Sequence, residues 1–80
     1  MPERREQHRA LVLENSALVA MGRAACASGL VTYHRLPRGD WYAKRGGQVV
    51  TAAEPTEWAL SHYVGCMLRD CDKVLYALVA

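Results

Sequence analysis

Gly46 and Gly47 stand between two short β-prone runs, Trp41–Arg45 and Gln48–Ala53. Two glycines in that setting are a strong local signal for a two-residue hairpin connection, because such turns need φ > 0 at their central positions. The connection fixes a register. Arg45 faces Gln48, Ala43 faces Val50 and Trp41 faces Ala52. Trp41, Ala43, Val50 and Ala52 then share one side of the sheet, and Tyr42, Lys44, Val49 and Thr51 share the other.

A third β-prone run, Leu30–Leu36, precedes the hairpin, and Pro37-Arg38-Gly39-Asp40 between them has the composition of a turn. A four-residue loop places Leu36 beside Trp41 in the core and sends Val31, Tyr33 and Arg35 to the outer side with Tyr42 and Lys44. A three-residue loop reverses the first strand. The expectation here is four, for the sake of Leu36.

Helical segments flank this meander. Glu3–Ser28 starts after Pro2 and carries Glu3 and Glu6 where the helix dipole favours acids. Leu11, Leu18, Met21 and Ala25 recur at helical spacing, with Leu13, Ala17, Ala20 and Ala24 as a flanking stripe open to the sheet or to a second copy. Gly29 suits the residue just past the helix end. The second helix is expected from Pro55 at its first position, with Glu57 in the first turn and an end near Asp70. Val74–Val79 continues it or forms a fourth strand, and Asp70-Cys71-Asp72 favours the strand. The fold class is α+β: an N-terminal helix, a three-stranded antiparallel meander, a second helix and a possible fourth C-terminal strand, in one domain spanning residues 1–80.

Charge is unevenly spread. Between Thr32 and Gln48, four cations (Arg35, Arg38, Lys44, Arg45) stand against Asp40 alone, a net of +3. Between Glu54 and Lys73, four acids (Glu54, Glu57, Asp70, Asp72) stand against Arg69 and Lys73, a net of −2. Such a split suits two complementary surfaces. The three cysteines, Cys26, Cys66 and Cys71, are odd in number and lack the spacing of a disulfide framework, which points to a reducing cytoplasm. The start of the chain has no signal-peptide pattern, and no run approaches the roughly 20 apolar residues of a membrane span.

Catalytic and metal-binding patterns are weak. His62 and Cys66, at i and i+4, share a helix face and have zinc-ligand chemistry. Cys71 falls on the far side of a continuous helix, and no CxxC pair is present. Cys71 lies between two carboxylates and Cys66 among apolar neighbours, surroundings that favour the neutral thiol. No serine sits in a nucleophile elbow, and Arg45-Gly46-Gly47-Gln48 is no phosphate loop. The reading is a non-enzyme that needs no cofactor and no metal.

The best candidate surface is the outer side of the meander: Tyr33, Arg35, Tyr42 and Lys44, with Arg38 and Arg45 in the turns. Cations attract phosphates, tyrosines stack on bases, and Tyr and Arg are enriched at interface hot spots. Glu54, Glu57, Asp70 and Asp72 form an alternative, acidic surface.

The order α-β-β-β-α resembles the double-stranded-RNA-binding domain. That family begins its second helix with a lysine-rich run, where this chain has Glu54-Pro55-Thr56-Glu57. Gly39–Gly47, followed by helical Glu57-Trp58-Ala59, is similar to the three-stranded DNA-reading domains of the plant AP2 type and of phage integrase arms. In overall character the chain resembles phage-encoded anti-CRISPR proteins: short, α+β, with no catalytic signature and with separated charge patches. That resemblance carries no residues over. It implies a steric inhibitor seated on a Cas protein or effector subunit in a bacterial host cytoplasm. A nucleic-acid-binding module using the basic, tyrosine-bearing sheet face is the alternative.

Overall fold

The computed structural model of the chain describes residues 2–69. The order is α1 (Pro2–Ala27), β1 (Thr32–Arg35), β2 (Trp41–Arg45), β3 (Gln48–Val49) and α2 (Glu57–Leu68). The strands form one antiparallel sheet in the order β1-β2-β3. The fold is α+β, with α2 against β2 and α1 against α2. The expected strand at Val74–Val79 lies outside the described residues, as do Asp70, Cys71 and Asp72.

The end of α1 follows from Gly29. Its φ of 82° is the left-handed conformation that glycine adopts without a Cβ penalty. The Leu30 N–H then reaches back to the Ala25 carbonyl at 3.0 Å and the Gly29 N–H to the Cys26 carbonyl at 3.1 Å. This double return closes the helix. Thr56 caps α2: its backbone is extended and its hydroxyl accepts from the Ala59 N–H at 3.0 Å. Pro55, expected at the first helical position, therefore sits just before the cap.

The buried face of α1 differs in part from the expected stripe. Leu18 and Ala25 are buried, but so are Val19 and Gly22, whereas Met21 and the stripe of Leu13, Ala17, Ala20 and Ala24 face solvent. The reason is backbone proximity between the helices. A Cβ on Gly22 would stand 2.7 Å from the Ser61 carbonyl carbon, and one on Gly65 would stand 2.6 Å from that of Leu18. Each helix thus lays a glycine against the other's main chain, and the arc of α1 turned inward is the one centred on Gly22. On composition and length alone Arg9–Ala27 also passes as a membrane-crossing helix, a test that core helices pass too, so here an unbroken helix extends what the residue runs suggest.

Ala25, Val31, Ala43, Leu60 and Val64 form the core, with Cys26, Tyr33, Trp41 and Val50 packed around them. Fully burying a Leu or Val side chain contributes about 1.5–3 kcal/mol. Leu60 and Val64, one turn apart on α2 and almost wholly buried, tie that helix to the sheet.

The turns decide which residues reach that core. Gly46 and Gly47 both have positive φ, 57° and 84°, and pair Arg45 with Gln48 and Lys44 with Val49 as expected. Beyond Val50, whose N–H donates to the Ala43 carbonyl at 3.0 Å, the ladder departs from expectation. Trp41 pairs with Glu54 instead of Ala52. The two extra residues let Thr51, expected on the outer side, turn inward, where its hydroxyl accepts the Ala43 N–H at 3.0 Å. A side chain thereby satisfies a buried donor that the bulged strand leaves open.

The first connection has three residues, Pro37-Arg38-Gly39, and not four. The Leu36 N–H donates to the Asp40 carbonyl and the Gly39 N–H to that of Leu36, both at 2.8 Å, and Gly39 has φ 100°. A turn followed by a left-handed glycine is the standard three-residue hairpin. Tyr33 therefore pairs with Ala43 and Arg35 with Trp41, and both, with Val31, lie on the helix side of the sheet.

Candidate functional site

The loop of three residues splits the expected binding surface. Tyr33 faces the helices, and its hydroxyl lies 2.9 Å from the Ser61 hydroxyl. The Ser61 hydroxyl donates to the Glu57 carboxylate at 2.7 Å, so it accepts from Tyr33. Arg23 closes the chain with Nε and Nη2 donating to Glu57 at 3.0 and 2.7 Å. Hydrogen bonds from Arg23 first, then from Ser61, hold the Glu57 carboxyl below its ordinary range, against an opposing effect of burial. Burial is the main cause that pushes the Tyr33 phenol up, with the Ser61 bond opposing it. This relay joins α1, α2 and β1. Ser61 is fully buried within it.

Arg35 lies at the far end of the same inner side. Its guanidinium sits 4.8 Å from the Trp41 ring centre and reaches the Gly39 carbonyl at 3.3 Å. Arg38 in the turn pairs with Asp40 at 3.1 Å. The exposed Arg45 stands on the rim of a small apolar notch of about 80 Å³ lined by Leu30, Val50, Met67 and Leu68.

The outer side of the sheet keeps Tyr42 and Lys44 and gains two residues that the four-residue loop had turned inward. His34 pairs across the strands with Tyr42, and Thr32 with Lys44. The His34 and Tyr42 rings stack at 5.3 Å between centres and 27° between planes. Thr32 Oγ1 holds His34 Nε2 at 2.8 Å. The Lys44 ammonium hangs 6.0 Å from the Tyr42 ring centre, and exposed Val49 completes the row beside Lys44. No carboxylate belongs to the strands of this side, and Asp40, just before β2, is engaged by Arg38. The signal for His34 was present in the sequence: proline first and glycine third is the pattern of the three-residue hairpin.

The structure describes two residues of the alternative acidic surface. Glu57 is half-buried in the relay, Glu54 bridges Trp41 through its backbone, and Asp70 and Asp72 lie outside the described residues. His62 and Cys66 do share a face, with Cys66 Sγ 4.0 Å from His62 Nδ1 and Asn15 Oδ1 2.8 Å from His62 Nε2. The Trp58 ring stacks on His62 at 5.6 Å. Burial holds the His62 imidazole below its ordinary pKa, with Glu54 opposing. Among the described residues no three His, Cys, Asp or Glu side chains gather as a metal site. No family model, no curated protein and no solved structure matches this chain.

Proposed function

We propose that the chain is a non-enzymatic binding protein that holds a polyanionic macromolecule on the outer side of its sheet and excludes other molecules by covering it. The observation that supports this reading is the composition of that side. Lys44, His34, Tyr42 and Thr32 form one hydrogen-bonded and stacked row, and the strands contribute no opposing carboxylate. A cationic surface free of acids raises the local concentration of an anionic partner and speeds encounter.

An inhibitor of the anti-CRISPR kind, covering a Cas protein or effector subunit, is the second reading. It is favoured by Trp58, 49% exposed, and by exposed Tyr63, Met67 and Leu68. Large apolar and aromatic side chains at a surface suit a protein interface. In both readings the protein works in a cytoplasm.

Retention on an immobilised polyanion such as heparin tests the first reading. Lys44→Glu removes retention if the outer side is the binding surface, and Arg45→Glu, on the other side, leaves it. Unchanged retention in Lys44→Glu overturns that assignment. Capture of a purified Cas effector that survives the charge reversal and is lost in Trp58→Ala supports the second reading.

A further inference from the structure

We propose that the polyanion is single-stranded nucleic acid, and that one unpaired base stacks on Tyr42 while Lys44 leaves that ring for a phosphate. The inference rests on the preceding reading that the outer side of the sheet is the binding surface.

Charge alone would accept any polyanion. The Tyr42 ring adds a selection that charge does not. In a duplex every base is sandwiched within the stack and presents only its edges to the grooves. An unpaired base has a free π-face, and stacking on an aromatic side chain is the common means of holding it. Tyr42 is set up for this. It is the second residue of β2, the central strand, and is half-buried, with its ring stacked on His34. The Thr32 hydroxyl in turn fixes His34. A ring held from one side loses little freedom when a base joins the other.

Lys44 supplies the exchange. At 6.0 Å its ammonium is at the outer limit of a cation–π contact. A phosphate offers it a charge-assisted hydrogen bond instead. Moving to the phosphate uncovers the ring and neutralises the backbone of the same nucleotide, so the two events favour each other. Arg45, at the next position along β2, projects to the opposite side and lines the notch with Leu30 and Val50, so the phosphate contact of this side falls to Lys44. The strand spans only about 17 Å, room for a few nucleotides.

Fluorescence anisotropy of the full chain with a labelled 15-nucleotide single strand, the matching duplex, and inorganic polyphosphate as unlabelled competitor tests this. The single strand is expected to bind more tightly than the duplex. Tyr42→Ala weakens it by about 5- to 100-fold while Tyr42→Phe retains binding. Lys44→Gln flattens the dependence of log K on log salt by about 0.7. Duplex bound as tightly as single strand, or Tyr42→Ala equal to the parent, overturns the base-stacking inference. Polyphosphate competing as well as an unlabelled single strand does the same, yet leaves the polyanion reading standing. Binding to none of the three overturns both.

Discussion

Adding one methyl group at Gly22 tests the helix contact on which the fold depends. In Gly22→Ala the new Cβ would lie 2.7 Å from the carbonyl carbon of Ser61 and 2.9 Å from its Cα. Carbon atoms rest at about 3.5–4.0 Å, so α1 and α2 must part by about 1 Å. Main-chain atoms, unlike the tip of a lysine, do not swing aside. Overpacking of this kind costs typically about 1–3 kcal/mol, and a rigid backbone on both sides puts this site near 3. Alanine returns about 1 kcal/mol of helix propensity. The net loss is about 2 kcal/mol, a large part of the stability of so small a domain. With a urea m-value near 1 kcal/mol/M, the midpoint falls by about 2 M. Trp41 and Trp58 report the transition by fluorescence. Ala20→Gly, at an exposed position on the same helix, should cost only the propensity difference, about 0.5–1 kcal/mol. Gly65→Ala should behave as Gly22→Ala does, and the double variant should lose less than the two losses added, because helices already parted accept the second methyl more cheaply. A Gly22→Ala midpoint equal to or above that of the parent would refute the close approach and with it the reason that the Gly22 arc of α1 turns inward.

Two further outcomes concern the relay. Tyr33→Phe removes the donor to Ser61 while Ser61 keeps its bond to Glu57, so chemical denaturation should show a loss of about 0.5–1.5 kcal/mol, with polyanion retention unchanged because Tyr33 faces the helices. The Glu57 carboxyl is held below its ordinary value, so its contribution is present above the unfolded-state pKa, near 4.3, and is lost as pH falls through the lower folded-state value. Melting temperature followed from pH 6 down to pH 3 should therefore drop in that window, and Glu57→Gln should flatten the drop.

The elements of the fold were legible from local chemistry. Pro2 and the acids of the first turn, Gly29, and the paired Gly46 and Gly47 each carry a backbone requirement that acts over a few residues. What was not legible depended on distant partners. Nothing near Gly22 in the sequence says that Ser61 will pass against it, so the expected apolar stripe runs through Met21 and not through Gly22. Thr51 turned inward because the bulge left the Ala43 N–H without a strand partner, a need that exists only after the sheet has formed.

The candidate site turned on one residue of loop length. In a strand, a shift by one exchanges every side chain between the two sides. Placing Leu36 beside Trp41 was the argument for four residues, and it weighed a single apolar side chain at the sheet's end. The three-residue loop places Val31 and Tyr33 inward instead, burying Val31 in the core and giving the Tyr33 hydroxyl its Ser61 partner. Two inward side chains over the core outweigh one at the edge, and Gly39 meets the left-handed position that this loop requires. The same exchange sorts the polar residues by task. The inward side keeps the hydroxyls and the carboxylate that lock the helices to the sheet, and the outward side receives His34 and Thr32, which orient Tyr42. A loop lengthened by one residue would undo both at once, because folding and binding here draw on opposite sides of the same strand.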